Sequence, residues 1–87
     1  MNVITTTETR AFPLALAQDG ERLRIAAYRT GKGLGRKLGT LGLPVGSEVE
    51  VVQRQAGGGV VVSRDATRVA LGGTTAQMIM VELVKSV

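Results

Sequence analysis

The chain has 87 residues, which suits one small domain with a limited hydrophobic core. It contains neither Cys nor His, which excludes disulfides, thiolate metal sites and imidazole-based acid–base catalysis. Eleven Lys and Arg against seven Asp and Glu give a net charge of +4, and one Phe and one Tyr supply all the aromatic surface.

The first ten residues are polar and rich in threonine. They lack the basic and then apolar order of a secretory signal, and we interpret residues 1–10 as an N-terminal tail. Residues 11–87 are expected to form a single domain. No apolar run approaches the roughly 20 residues that cross a bilayer, so we expect a cytoplasmic protein.

The domain begins with a short turn and a strand. Residues 12–16 read Phe-Pro-Leu-Ala-Leu and precede an Asp-Gly pair, which predicts one helical turn closed by a tight turn. Residues 21–28 then alternate between apolar and polar side chains. Alternation of this kind predicts a half-buried antiparallel strand with Leu23, Ile25 and Ala27 facing the core.

A glycine-rich stretch follows this strand. Residues 30–35 are predicted to be a flexible loop between the strand and the next helix. The loop does not match a Walker A motif, because Lys32 is followed by Gly33 instead of Ser or Thr. It also fails the dinucleotide spacing, since Leu38 stands where the last glycine belongs. We therefore expect no phosphate site here.

A short helix is predicted over residues 35–41. Leu34, Leu38 and Leu41 recur at spacings of four and three, which places them on one helical face. Gly42 follows where a helix commonly ends in the left-handed conformation, and a proline two residues later cannot extend the helix.

The C-terminal half reads as strands joined by turns. Residues 48–54 form a strand with Val49 and Val51 facing inward and Glu48 and Glu50 facing outward. Further strands are predicted at 60–63, 68–71 and 80–84, separated by a triple-glycine connection at 57–59, a turn at 65–67 and a helix at 75–79 capped by Thr74. Five short strands with one or two short helices predict a mainly β fold closed into a small barrel.

Few residues of this chain could take part in catalysis or bind a metal ion. Glu48 and Glu50 share one strand face with their backbones about 7 Å apart, a spacing from which paired carboxylates can bind a hard cation. No His, Cys or nucleophile motif accompanies them, so we interpret them as solvated strand charges. We therefore predict no catalytic, cofactor or metal site, and no enzymatic activity.

Positive charge is concentrated in one block. No acidic residue lies between positions 22 and 47, and the block favours an acidic partner. Its basic members are Arg22, Arg24, Arg29, Lys32, Arg36 and Lys37. Nucleic-acid binding by small barrels normally uses aromatic stacking platforms, which this chain lacks, so we predict no nucleic-acid partner. A basic barrel that binds nucleic acid is the alternative interpretation.

Residues 13–84 resemble the FeoA-like domains of ferrous iron transport protein A. The resemblance is carried by the order of short motifs along the chain: Pro13-Leu14-Ala15-Leu16 before Gly20, Arg36-Lys37-Leu38, Leu41-Gly42-Leu43, Gly46 before a valine strand, Ala70-Leu71 and Val81 with Leu83. Two positions depart from the family pattern: a triple glycine replaces Pro-Leu-Gly-Asp-Pro, and Asp65-Ala66-Thr67 replaces Gly-Tyr.

The resemblance implies an SH3-like barrel and an accessory role without a cofactor. FeoA-like proteins are thought to bind the cytoplasmic GTPase region of the ferrous iron permease FeoB, so the chain would reach the membrane only through that partner. A monomer or weak homo-oligomer is expected. Similar domains form the C-terminal part of iron-dependent repressors. A stand-alone relative of those C-terminal domains is the second alternative interpretation of this chain.

The predicted helix and its glycine stop are the candidate partner-binding surface. A barrel this small is not expected to bury every leucine of the helix, which leaves an apolar strip beside basic residues. The candidate residues are Leu34, Arg36, Lys37, Leu38, Leu41, Gly42 and Leu43. The alternative is that the leucines only close the open end of the barrel.

Overall fold

The computed structural model describes residues 11–29 and 32–84, and in its first helix the side chains from Arg36 onward. The predicted tail at 1–10 lies outside the described residues. The elements in chain order are β1 (Phe12–Pro13), β2 (Arg22–Tyr28), α1 (Lys32–Thr40), β3 (Glu48–Arg54), β4 (Val60–Arg64), β5 (Thr67–Leu71), α2 (Gly73–Met78) and β6 (Ile79–Leu83), with 3-10 turns at Leu14–Leu16 and Ala56–Gly58.

The strands form one antiparallel sheet in the order β1-β6-β2-β3-β4-β5. All five predicted strands are present, and the two-residue β1 adds a sixth. The mainly β architecture with two short helices confirms the predicted fold class and agrees with an SH3-like fold. Strands β1 and β5 are the two edges of this sheet, so the predicted closure through strand pairing is not present among the described residues. No helix among the described residues is long and apolar enough to span a membrane.

The core lies on one side of every major strand. Val49 and Val51 are buried while Glu48 and Glu50 face solvent, as the alternation in β3 predicts. Leucine, isoleucine, valine and alanine fill the core: Leu14, Ala17, Leu23, Ile25, Leu38, Leu43, Val49, Val51, Val60, Val62, Leu71, Ala76, Ile79 and Val81. Helix α2 packs against the first 3-10 turn and brings Ala76 into this cluster.

Strand β2 departs from the predicted alternation near its end. Its pairing with β6 shifts between Ile25 and Ala27, so Ala26 is an extra residue that opens a bulge. The predicted inward position of Ala27 is therefore wrong, and its side chain is exposed. A single inserted residue exchanges the two faces of the strand beyond it.

Both helices begin earlier than predicted. Helix α1 starts at Lys32, so the flexible loop predicted for 30–35 is wrong from that residue on, and Thr30 and Gly31 lie outside the described residues. Helix α2 starts at Gly73 with Gly72 as its N-cap, so Thr74 lies inside the helix and not at its cap.

Two glycine segments approach each other closely where α2 begins. A Cβ atom on Gly73 would overlap the carbonyl oxygen of Gly57, in the connection between β3 and β4. Gly57 itself has a φ of +84°, which glycine adopts without steric cost. The triple-glycine connection therefore lets the chain pass directly against α2.

A candidate interaction surface after the first helix

Helix α1 ends in a glycine motif that turns the chain back onto the core. The Leu43 N–H donates to the Leu38 carbonyl oxygen at 2.8 Å, and the Gly42 N–H donates to the Gly39 carbonyl oxygen at 3.1 Å. Gly42 has a φ of +82°. These two bonds with a left-handed glycine define a Schellman motif, in which the residues at the two ends of the longer bond make an apolar contact. The predicted glycine stop at Gly42 is confirmed.

The predicted leucine face is divided between the core and the surface. Leu38 and Leu43 are 0% and 1% exposed, so their side chains close the core and do not face a partner. Leu41 is 38% exposed, and Val45 in the following turn is 54% exposed. The side chain of Leu34 lies outside the described residues. The exposed apolar surface therefore lies not in the middle of the helix but in the segment that follows it in the chain, residues 41–47. We call these residues the connecting segment.

Backbone hydrogen bonds fix the connecting segment against β2. The Gly46 N–H donates to the Ile25 carbonyl oxygen at 2.7 Å, and the Ile25 N–H donates to the Ser47 carbonyl oxygen at 2.9 Å. The Tyr28 hydroxyl donates to the Leu43 carbonyl oxygen at 2.9 Å. These bonds hold the exposed Val45 at the tip of a tight turn and keep the segment in one position.

Arg64 links the connecting segment to the hairpin of β4 and β5. Its guanidinium donates a hydrogen bond to the carbonyl oxygen of Gly42. A positive charge next to the last carbonyls of a helix also suits the negative end of the helix dipole. An open groove of about 340 Å³ lies between the two elements. It is lined by Leu41, Gly42, Leu43, Arg64, Asp65, Thr67 and Val69.

Part of the predicted basic block is neutralised by acidic residues on neighbouring strands. Arg24 lies 3.3 Å from Glu48 and 4.0 Å from Glu82, and Arg22 lies 3.9 Å from Glu48. Glu48 therefore pairs with arginines, as expected of a solvated strand charge. Within the described ranges no group of three acidic residues is placed to hold a metal ion, with Glu50 or without it.

Of the other described residues of the basic block, Arg36 and Lys37 lie on α1 shortly before the connecting segment, and Arg29 directly follows β2. Arg29, Arg36 and Lys37 are exposed, and none of them belongs to an ion pair within residues 11–29 and 32–84. Exposed apolar side chains beside unpaired charges of one sign are typical of a surface that meets an oppositely charged partner. The structure thus brings Arg36, Lys37 and Leu41 together at one end of the molecule.

Three residues of this surface could not be assigned to it from the sequence alone. Val45 belongs to a Pro-Val-Gly sequence, and this turn signal could have indicated an exposed tip. Tyr28 and Arg64 gave no local signal, because their partners at Leu43 and Gly42 are 15 and 22 residues away in the chain. Contacts over such separations depend on the complete fold.

Ionisation of Tyr28 is expected to loosen the connecting segment. Burial raises the pKa of its phenol above the ordinary value of 10.0. The folded protein then holds this proton at pH values where the unfolded chain has lost it, so stability falls as the pH rises above 10. The phenol is the only one in a chain without Trp, so tyrosinate absorbance at 295 nm reports Tyr28 alone.

We expect a titration midpoint above 10.0 in the folded protein and a return to the ordinary value in denaturant. Equal midpoints in the two conditions would contradict the burial of the phenol. Tyr28→Phe should remove the titration and cost about 1 kcal/mol of stability through the lost hydrogen bond.

Comparison with known proteins identifies relatives over most of the chain. The model of the FeoA domain family matches residues 12–83. The "Putative Fe(2+) transport protein A" of Methanocaldococcus jannaschii is 34% identical over 71 residues, which are 82% of this chain and 85% of that protein. This chain is similar in fold to a crystal structure of an iron uptake regulatory protein (FeoA), with a TM-score of 0.76, 23% identity, and coverage of 86% of this chain and 99% of the other. It is also similar to a manganese-dependent transcriptional repressor, with a TM-score of 0.77, 26% identity, and coverage of 90% of this chain and 44% of the repressor.

Proposed function

Since this chain belongs to the FeoA domain family, we propose that it is an accessory protein of ferrous iron uptake that docks onto the cytoplasmic GTPase region of the ferrous iron permease FeoB. The name of the archaeal relative supports a role in ferrous iron transport. The chain has no His and no Cys, so it lacks the imidazole and thiolate ligands common at transition-metal sites. Contact with a partner is the mode of action that these residues favour.

The observation that carries this proposal is the exposed connecting segment. Leu41 and Val45 leave apolar surface in solvent although the core next to them is closed by Leu38 and Leu43. Arg36 and Lys37 supply positive charge on the last turns of the helix beside it. In the proposed complex Leu41 is the apolar anchor, and the two basic residues select an acidic surface around it.

The other candidate residues have supporting roles in this proposal. Gly42 makes the turn that exposes Leu41, and Leu38 and Leu43 anchor that turn from inside. Leu34 belongs to the proposed surface by its sequence position on α1.

Replacing Leu41 with glutamine is expected to weaken binding to the FeoB cytoplasmic region by about 1–3 kcal/mol, because Leu41 would lose its apolar contact in the complex. Stability should change little, since the side chain is already 38% exposed. Affinity is measured by calorimetry with the purified cytoplasmic region, and iron uptake is measured in a strain that lacks the native protein.

The matched control is Leu16→Gln, which changes a leucine that is 65% exposed on the first 3-10 turn, outside the proposed surface. It should leave affinity and uptake unchanged. Equal losses in both variants would show that glutamine at any exposed leucine weakens binding, and full binding by Leu41→Gln would remove Leu41 from the interface.

The likeness to the manganese-dependent repressor favours a second candidate function, that of a regulatory domain acting on a partner domain by contact. This chain spans less than half of that repressor, so the likeness concerns one of its parts. Isolation of the tagged protein from membranes and from the soluble fraction separates the candidates. Recovery of the permease supports the first function, and recovery of a DNA-binding protein supports the second.

A further inference from the structure

Strand β5 is one edge of the sheet, and no strand among the described residues pairs with its outer side. It pairs with β4 on one side only. No backbone group elsewhere in residues 11–29 or 32–84 hydrogen-bonds to its outer side. Thr67, Arg68 and Ala70 are exposed, and Val69 is half-buried. An edge of this kind can accept another extended segment.

The register of the hairpin defines which groups point outward. The turn between β4 and β5 has two residues, so the residues that flank it form a hydrogen-bonded pair, and Thr67, Val69 and Leu71 direct their backbone groups toward β4. The position of the Leu71 carbonyl oxygen supports this assignment. It lies 3.0 Å from the point where a Cβ atom would stand on Gly59, the residue before β4, so it faces β4. The N–H and C=O groups of Arg68 and Ala70 therefore point away from the sheet.

The two edges of the sheet differ in how well they are protected. The opposite edge, β1, has two residues, and one of them is Pro13, which has no N–H to donate. Strand β5 has five residues, no proline and one charged side chain. Of the two edges, β5 is the one that offers a regular set of donors and acceptors to a partner.

The chemistry around β5 indicates the kind of segment that fits it. Arg68 is exposed and β5 contains no acidic residue, while Arg64 and Asp65 before it contribute one charge of each sign to the groove. Thr67 and Val69 line the groove that Leu41 and Leu43 border on its other side. An added strand would thus place one side chain toward this apolar wall and the next toward Arg68, because side chains alternate along a strand.

We propose that the cytoplasmic region of FeoB adds an extended, acidic segment to the free edge of β5 as a further antiparallel strand. This inference rests on the proposed function and specifies the partner's contribution: backbone hydrogen bonds to Arg68 and Ala70, an apolar side chain in the groove and a carboxylate opposite Arg68. Strand addition of this type takes its affinity from main-chain bonds and its specificity from the side chains.

The decisive variant is Ala70→Pro. The N–H of Ala70 points away from the sheet, so proline at this position removes a donor that the fold does not use. Proline is tolerated at such edge positions. We expect thermal unfolding to change little and the affinity for the purified FeoB cytoplasmic region to fall at least about tenfold, because the added strand loses a hydrogen bond and meets the proline ring. The matched control Ala70→Ser keeps the N–H and should bind as the wild type does.

Two further measurements complete the test. In the wild-type complex the N–H groups of Arg68 and Ala70 should exchange with solvent at least about tenfold more slowly than in the free protein, a readout that holds even when Ala70→Pro does not fold. Arg68→Glu should weaken binding most at low salt. Full binding by a folded Ala70→Pro, unchanged exchange, or tighter binding by Arg68→Glu would overturn strand addition of an acidic segment and leave the proposed function standing. Absence of wild-type binding would overturn both.

Discussion

Replacing Leu38 with glutamine is expected to lower the free energy of unfolding by about 3–5 kcal/mol. The side chain is 0% exposed and belongs to the hydrophobic core cluster, so the change removes apolar packing and places an amide in an apolar site. A domain of this size has a total stability of roughly 5–10 kcal/mol, so about half of it would be lost. Urea unfolding followed by circular dichroism measures the effect.

Leu41→Gln is the matched variant with which Leu38→Gln should be compared. The two substitutions are chemically identical and three residues apart, but Leu41 is 38% exposed. Leu38→Gln should reduce stability and affect binding only through unfolding, whereas Leu41→Gln should reduce binding and leave stability nearly unchanged. A melting temperature for Leu38→Gln equal to that of the wild type would contradict the burial of Leu38.

Replacing Gly73 with alanine is expected to destabilise the protein by about 2–3 kcal/mol. The new methyl group would overlap the backbone carbonyl oxygen of Gly57, and a backbone group cannot move aside as the end of a flexible side chain can. Either α2 or the glycine connection must shift, which disturbs the packing of Ala76 in the core. Thermal and urea unfolding give the size of the loss.

The neighbouring glycine provides the control. A Cβ on Gly72 meets nothing within 4 Å, and its φ of −67° suits alanine. Gly72→Ala should change stability by less than about 1 kcal/mol, since the weaker N-cap and the reduced entropy of the unfolded chain act in opposite directions. Similar losses at both positions would show that the close approach is not what requires glycine at Gly73.

Local patterns predicted the features of this fold that depend on neighbouring residues. The spacing of Leu38 and the glycine at 42 predicted the end of α1, and alternation predicted the inward valines of β3. The order of motifs along the chain predicted the FeoA domain, which the family match confirms. The first two of these signals each lie within about ten residues of sequence, whereas the order of motifs extends over residues 13–84.

The features that escaped prediction depend on distant parts of the chain. The bulge at Ala26 arises in the pairing of β2 with β6, more than fifty residues later. Only the complete core determines that Leu38 is buried while Leu41 remains at the surface. Periodicity places both leucines on one face, but it carries no information about how far along the helix the core extends.

The hydrogen bond from Arg64 to Gly42 makes the two ends of the groove thermodynamically dependent on each other. One guanidinium joins the connecting segment to the hairpin that carries β5, so we expect a partner that moves Arg64 when it binds at one side to change the surface at the other. Binding free energies coupled in this way are reciprocal. If occupation of the surface at Leu41 raises the affinity of β5 for its segment, occupation of β5 must raise the affinity at Leu41 by the same factor, and a two-part partner would then bind cooperatively.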